Sequence, residues 1–135
     1  MADTAPNILI IEDDPLLSGL LAQEMESKKF RFRSALTGEE GLDIAKKEKP
    51  DIVLLDILLP GIDGFEVLKR IKEDPETKHA MVVILSNLGQ QNDIMRGTQL
   101  GAEKYIVKVT LSLSEVIQTV QDLWKKHTGI SLASA

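Results

Sequence analysis

Short apolar runs alternate along the chain with longer stretches whose apolar residues recur at helical spacing. The first run, "NILII", leads into the acids "EDD". In the stretch after it, apolar residues recur at helical spacing, namely Leu16, Leu17, Leu20, Leu21 and Met25. Pro15 suits the start of this helix, where its missing N–H is not needed. The pattern predicts a buried strand followed by a helix.

The same alternation repeats four more times. The further predicted strands are "FRFRSAL", "DIVLLD", "AMVVILSN" and "KYIVKV", and the helices between them are "TGEEGLDIAKKEK", "FEVLKRIKED" and "QQNDIMRGTQLGA". A last helix carries an apolar stripe from Leu113 to Trp124. Alternating strands and helices favour parallel pairing through right-handed crossovers, with helices on both faces of the sheet. We predict an α/β fold with a doubly wound five-stranded parallel sheet, whose most apolar strands, the first, third and fourth, are central.

Composition narrows the function classes. The formal net charge is -5 and no dense block of Lys and Arg occurs, so we expect no direct binding to nucleic acid. No apolar run approaches the roughly 20 residues of a membrane span, and there is no Cys, which fits a cytoplasmic protein without a disulfide framework. We expect one domain over residues 7–127, with an N-terminal tail (1–6) and a flexible C-terminal tail (128–135).

Polar residues follow the apolar strands where each strand ends. They are Glu12, Asp13 and Asp14 after the first strand, Asp56 after the third, Ser86 at the fourth and Lys108 at the fifth. The carboxyl ends of strands in such a sheet converge on one ligand site. Clustered carboxylates repel one another unless a cation lies among them, and hard oxygen ligands suit Mg²⁺. A carboxylate beside a metal ion, a Lys and a hydroxyl can attack phosphorus, so Asp56 is a candidate nucleophile.

Taken alone, an acid after a strand is most often a helix cap or turn residue, and only the agreement of several positions favours chemistry. Together these blocks resemble the response-regulator receiver domains of two-component signalling. The resemblance covers residues 7–126 and is carried by Glu12 and Asp13 after "ILII", "LLDILLPGIDG" around Asp56, Ser86 in "VVILSN", and "GAEKYIVK". It implies a CheY-like, flavodoxin-like fold with strand order 2-1-3-4-5, here of a stand-alone type.

The resemblance also implies the chemistry of the site. Asp56 would accept a phosphoryl group from a histidine kinase or a His-phosphotransfer protein, which would switch a partner-binding face. Asp13, Asp56 and the backbone carbonyl of Leu58 would bind Mg²⁺, with Glu12 acting through water. Lys108 would hold one phosphoryl oxygen.

Two further positions are implied to act as the switch. Ser86 would donate its hydroxyl to the phosphoryl group, and Tyr105 would follow Ser86 inward, although an aromatic in a short edge strand also packs there without switching. Asp14 lies outside the motif and is interpreted as a helix-start acid.

The chain departs from the usual pattern of the family after the fifth strand. Val109 stands where the family usually has Pro, often after a cis bond; a cis bond without Pro costs ~3 kcal/mol, so we expect a trans bond and a different loop.

The chain also departs from the family after the fourth strand, where Asn87 replaces the usual Ala. The resemblance implies that Leu58 and Leu88 occupy the two positions best placed to hold the water that attacks the phosphoryl group, and because both are apolar we expect a long-lived phosphoprotein.

Other functions stay open at this point. A metal-dependent aspartyl-phosphate phosphatase or phosphotransferase would use similar chemistry, but its general acid would stand where Leu58 stands. A receiver that accepts no phosphate and only docks is a further alternative. We expect no enzyme beyond self-phosphorylation and slow self-dephosphorylation, and a homodimer would use helix 4, strand 5 and helix 5. The sequence identifies neither the kinase nor the downstream target.

Overall fold

Five strands and five α-helices alternate along residues 5–130, the part of the chain that this computed structural model describes. The strands are β1 (Asn7–Ile11), β2 (Arg31–Ala35), β3 (Ile52–Leu55), β4 (Met81–Ser86) and β5 (Lys104–Val107). The helices are α1 (Pro15–Ser27), α2 (Gly38–Glu48), α3 (Gly64–Glu73), α4 (Gln91–Gln99) and α5 (Leu113–Thr128), with a 3₁₀ turn at Lys108–Thr110. Within residues 5–130, no helix combines the length and the apolar character that crossing a membrane requires.

The strands form one sheet in the order β2-β1-β3-β4-β5, and every pair is parallel. This confirms the predicted fold and the central place of the first, third and fourth strands. β3 and β4 are buried along their whole length because helices cover both faces of the sheet. The strand order reverses between β1 and β3, where ligands bind in open sheets of this kind.

The sheet separates two apolar clusters. Alternate strand residues face opposite sides, so Ile8 and Ile10 join a first cluster with residues of α1 and α5, including Trp124. Leu9 and Ile11 join a second cluster with residues of α2 and α3. The two clusters hold the strand ends in fixed positions, which is what a site at those ends needs.

The first helix begins as its sequence predicts. Pro15 is its first residue, and the Asp14 side chain caps it by accepting a hydrogen bond from the Leu16 backbone N–H at 3.0 Å. This confirms the interpretation of Asp14 as a helix-start acid.

The fifth strand is shorter than predicted. Lys108 and Val109 lie in the 3₁₀ turn because the Leu111 N–H donates to the Lys108 carbonyl and the Thr110 hydroxyl donates to the Val107 carbonyl, both at 3.0 Å. No cis peptide bond occurs between residues 5 and 130, so the Lys108–Val109 bond is trans as expected. β3 likewise ends at Leu55, which leaves Asp56 just beyond the strand.

Two residues of the predicted tails, Pro6 and Ile130, pack against the rest of the structure. Pro6 is buried, and Ile130 packs against the first cluster after Gly129 ends α5 in a left-handed conformation. The remaining tail residues, 1–4 and 131–135, lie outside the described residues, so the predictions for them stay predictions.

Candidate functional site

An acidic crevice lies where β1 and β3 end. Ile11 pairs with Leu55 in the sheet, and the Asp56 N–H donates to the Ile11 carbonyl at 2.9 Å, so Glu12 and Asp56 leave the sheet side by side. Glu12 and Asp56 are buried, with 2% and 3% of their surface exposed, whereas Asp13 is exposed. One carboxylate oxygen from each of these three residues lies within 4.8 Å of the others. Three hard oxygen donors at this spacing fit a divalent cation such as Mg²⁺.

The Lys108 ammonium sits between the two buried carboxylates. Its Nζ atom is 2.8 Å from Glu12 Oε1 and 3.1 Å from Asp56 Oδ2. Lys108 is the first residue of the 3₁₀ turn after β5, and its side chain is only 15% exposed. A buried ion pair of this kind needs good geometry to offset its desolvation, and Lys108 meets that need by contacting both acids.

Burial and charge shift the protonation of this group of residues. Burial raises the pKa of Glu12 to about 7, and the negative charge of Asp56 adds to the rise, although the hydrogen bond from Lys108 opposes it. Burial alone would lower the pKa of Lys108, but its hydrogen bonds to Glu12 and Asp56 outweigh burial and raise it. Lys108 is therefore a cation at neutral pH, and it offsets part of the negative charge of the crevice.

The two oxygens of Asp56 have different partners. Oδ1 accepts a hydrogen bond from the Leu58 N–H at 3.2 Å, while Oδ2 faces Lys108. The start of α3 also contacts the backbone after Asp56, since the Gly64 N–H donates a hydrogen bond to the Ile57 carbonyl at 2.8 Å. A Cβ at Gly64 would lie 2.2 Å from the Asp56 carbonyl oxygen, so only glycine lets the helix approach so closely. The backbone of Asp56 is thus fixed on both sides.

Ser86 and Tyr105 meet at the backbone of one residue, Leu88. Ser86 is fully buried at the end of β4, and its Oγ accepts a hydrogen bond from the Leu88 N–H at 3.1 Å. The Tyr105 hydroxyl donates to the Leu88 carbonyl. Burial raises the pKa of Tyr105. The two predicted switch residues are therefore connected through the β4–α4 loop.

The Tyr105 ring lies half-buried against α4. A Cβ at Gly97 would lie 3.1 Å from Tyr105 Cδ2 and 2.7 Å from Ile84 Cδ1, so the glycine makes room for the ring. The ring also packs against the second cluster.

The remaining predicted positions lie in the loops that follow β3, β4 and β5. Leu58 is 54% exposed just after Asp56, and Leu88 is half-buried and packs against the second cluster. Val109 is 81% exposed beside Lys108. Asn87 is exposed.

Three features of the site were not predicted from the sequence. They are the ion pair between Glu12 and Lys108, the double hydrogen bonding of Leu88, and the close approach of Gly64 to the backbone of Asp56. The first two depend on side-chain and backbone positions that only the tertiary structure sets. Gly64 did carry a signal, because a glycine at the start of a helix after turn residues often marks a close backbone approach.

Comparison with known proteins agrees with this geometry. The model of the response regulator receiver domain family matches residues 8–121. The DNA-binding dual master transcriptional regulator RpaA of Synechocystis sp. is 34% identical over 129 residues, which cover 96% of this chain and 53% of that protein. The polar-differentiation response regulator DivK of Brucella anthropi is 33% identical over 115 residues, which cover 85% of this chain and 93% of DivK. The chain spans about half the length of several curated relatives that it matches, RpaA among them.

Solved structures give the same result. The signal receiver domain of a DNA-binding response regulator from Colwellia psychrerythraea superposes with a TM-score of 0.80 at 31% identity. The match covers 87% of this chain and 96% of that one.

Proposed function

Because the chain belongs to the response regulator receiver domain family of two-component signalling, we propose that it is a phosphoacceptor module whose acceptor is Asp56. One observation carries the proposal: a buried carboxylate at the end of β3 has the Lys108 ammonium on one oxygen and two further acids beside it. A structural ion pair needs no such cluster of acids, whereas phosphoryl transfer needs both a nucleophile and cations around it.

The proposed donor is the phosphohistidine of a histidine kinase or of a phosphotransfer protein. A carboxylate oxygen of Asp56 attacks phosphorus as the P–N bond breaks, and the electron pair of that bond leaves with the imidazole, which takes up a proton. The product is an acyl phosphate on Asp56. Lys108 stabilises charge on the phosphoryl oxygens, and Ser86 donates its hydroxyl to one of them.

The residues of the crevice fit Mg²⁺. Asp13 and Asp56 offer carboxylate oxygens, and the Leu58 carbonyl is the proposed third protein ligand. Such an ion, when bound, would supply positive charge to the phosphoryl oxygens in the transition state.

The hydrogen bonds of Leu88 suggest how phosphorylation reaches a partner. If the Ser86 hydroxyl turns toward the phosphoryl group, it gives up the Leu88 N–H, and the loop that also holds Tyr105 is free to move. Tyr105 packs against α4 at Gly97, so the movement reaches α4 and β5. We therefore assign partner binding or homodimerisation to the face formed by α4, β5 and α5.

A phosphatase or phosphotransferase acting on other molecules is not favoured. Such an enzyme needs a general acid to protonate the leaving group, and the residue two positions after Asp56 is the apolar Leu58. We propose instead that the chain catalyses only its own phosphorylation and a slow dephosphorylation. A receiver that only docks would have no need for the cluster of acids.

The test is incubation with acetyl phosphate and Mg²⁺, followed by intact-mass measurement. The wild type should gain one phosphoryl group, and Asp56→Asn should gain none because an amide cannot attack phosphorus. Peptide mapping that found phosphate on another residue of the wild type would refute the assignment.

A further inference from the structure

The helix α4 is held less firmly by its neighbours than the other helices are. Between Gln91 and Gln99 only Gly97 is buried, and a glycine has no side chain to pack, whereas α3 buries five residues, Phe65 among them. The N-cap of α4, Gln90, makes no side-chain hydrogen bond to the helix. A helix with so little buried apolar surface and no side-chain cap can be displaced at a low cost in free energy. Each remaining contact of α4 therefore has a large share in fixing its position.

Arg96 forms one of these contacts with α3. Its guanidinium carbon lies 4.2 Å from the centre of the Phe65 ring, which is a cation–π distance. Both side chains line a groove between α3 and α4, which Lys69 and Leu100 line as well. Arginine suits this place because its planar, weakly hydrated cation stacks on an aromatic face better than an ammonium does.

The Phe65 ring is fixed to the segment that carries the acceptor. Phe65 is 4% exposed and packs in the second cluster. It directly follows Gly64, the first residue of α3, which packs against the Asp56 carbonyl. The ring therefore stays with the acceptor segment when α4 moves, and a displacement of α4 has to separate Arg96 from the ring.

On this basis, and resting on the proposed phosphorylation of Asp56, we propose that the contact between Arg96 and Phe65 is a restraint that holds α4 against α3 before phosphorylation. The proposed movement of Ser86 releases Leu88 and the loop that leads into α4. The restraint opposes this release, so it sets the fraction of molecules in which α4 has moved. In that fraction the Ser86 hydroxyl is free to donate to the phosphoryl group, and a protein without the restraint accepts phosphate faster.

The test measures the mobility of α4 and the rate of phosphorylation in the same variant. Arg96→Gln removes the cation and keeps a good helix former at an exposed position. In the unphosphorylated variant, we expect the amides of α4 to exchange hydrogen roughly two- to fivefold faster than in the wild type, measured by mass spectrometry. Phosphorylation by acetyl phosphate at saturating Mg²⁺ should be faster by a similar factor, because one exposed cation–π contact changes an equilibrium by about this much.

Three control variants accompany Arg96→Gln. Lys69→Gln removes the same charge from the same groove and leaves the stacked pair in place, so both measurements should match the wild type. Arg96→Lys keeps the charge and loses the planar group, so it should change both measurements in the same direction by a smaller factor. Phe65→Leu keeps an apolar side chain under α4 and removes the ring, so adding Arg96→Gln to this variant should change neither measurement further.

Thermal unfolding of each variant checks the fold, and Arg96→Lys replaces Arg96→Gln in every comparison if Arg96→Gln does not fold. A wild type that gains no phosphate refutes the proposed function, while the exchange measurement still decides whether Arg96 restrains α4. The inference is overturned if α4 of Arg96→Gln exchanges at the wild-type rate, or if its faster exchange is accompanied by unchanged or slower phosphorylation. It is also overturned if Lys69→Gln reproduces both changes, or if Arg96→Gln has its full effect in the Phe65→Leu protein.

Discussion

A methyl group added at Gly64 should both destabilise the protein and impair the proposed chemistry. The Cβ of Gly64→Ala would lie 2.2 Å from the Asp56 carbonyl oxygen and 2.6 Å from Ile57 Cα, where ordinary contacts begin at 3.4 Å. Both neighbours are backbone atoms, so no side chain can rotate away. The helix α3 and the segment that carries Asp56 must therefore separate by about 1 Å.

Helix propensity and steric overlap act in opposite directions on the stability of Gly64→Ala. Alanine is a better helix former than glycine by ~1 kcal/mol in a helix interior, and by less at the first residue of α3. Overpacking of a well-packed site costs about 1–3 kcal/mol, which exceeds the gain in helix propensity. We expect a net loss of about 1–2 kcal/mol in the free energy of unfolding. Because a misplacement of about 1 Å at a reacting group can reduce a rate on the order of a hundredfold, phosphorylation of Asp56 should slow markedly as well.

Urea unfolding and the acetyl phosphate assay measure the two effects. Gly19→Ala is the matched control, because Gly19 lies inside α1 with nothing within 4 Å of the added methyl group. That variant should be more stable by about 0.5–1 kcal/mol and should accept phosphate at the wild-type rate. If Gly64→Ala unfolds at the same urea concentration as the wild type and accepts phosphate equally fast, the close approach does not constrain the site.

Three further predictions concern the lifetime of the phosphate, the metal and pH. The double variant Leu58→Asn, Leu88→Glu should lose its phosphoryl group faster than the parent in a decay time course with Mg²⁺, because polar side chains can hold the attacking water. Equal decay rates would show that the side chains at these two positions do not limit hydrolysis. Asp13→Ala should weaken Mg²⁺ binding in a calorimetric titration, and an unchanged affinity would contradict the site as proposed. Burial raises the pKa of Glu12 to about 7 in the folded protein, against 4.5 for the ordinary carboxyl group. Between these pH values the folded protein holds a proton that the unfolded chain has released. In metal-free buffer, the free energy of unfolding should therefore fall as the pH rises from 4.5 to 7. Urea unfolding of Glu12→Gln should lack this part of the slope, and an identical slope in both proteins would place the proton elsewhere.

Periodicity along the chain was enough to predict the order of the elements and the parallel sheet. The apolar runs of β1, β3 and β4 have no polar face, and such runs are typical of strands covered on both sides. The strand order came from the resemblance to a known family, since alternation alone is compatible with several orders. The predicted end of β5 was wrong because the 3₁₀ turn after Val107 depends on hydrogen bonds that leave no trace in the apolar pattern.

The candidate site was predictable as a set of residues and not as a network. The rule that strand ends converge brought Asp13, Asp56 and Lys108 together, and the structure places them in one crevice. It could not show that Lys108 also pairs with Glu12, because the direction of a long side chain is set by burial and by its neighbours. Nor could it show that Gly97 in α4 leaves the space that the Tyr105 ring occupies, because this contact depends on how α4 packs against β5.

The β3–α3 and β4–α4 loops engage the site through main-chain atoms. The Leu58 amide binds Asp56, and the Leu88 amide and carbonyl bind Ser86 and Tyr105, contacts that any other residue except proline can make in full. The side chains at these two positions can therefore change while the contacts to Asp56, Ser86 and Tyr105 stay in place. If the proposed function holds, a substitution at either position would alter the lifetime of the phosphoprotein and leave the geometry of the acceptor unchanged, so the duration of the signal and the chemistry of phosphorylation could be adjusted separately.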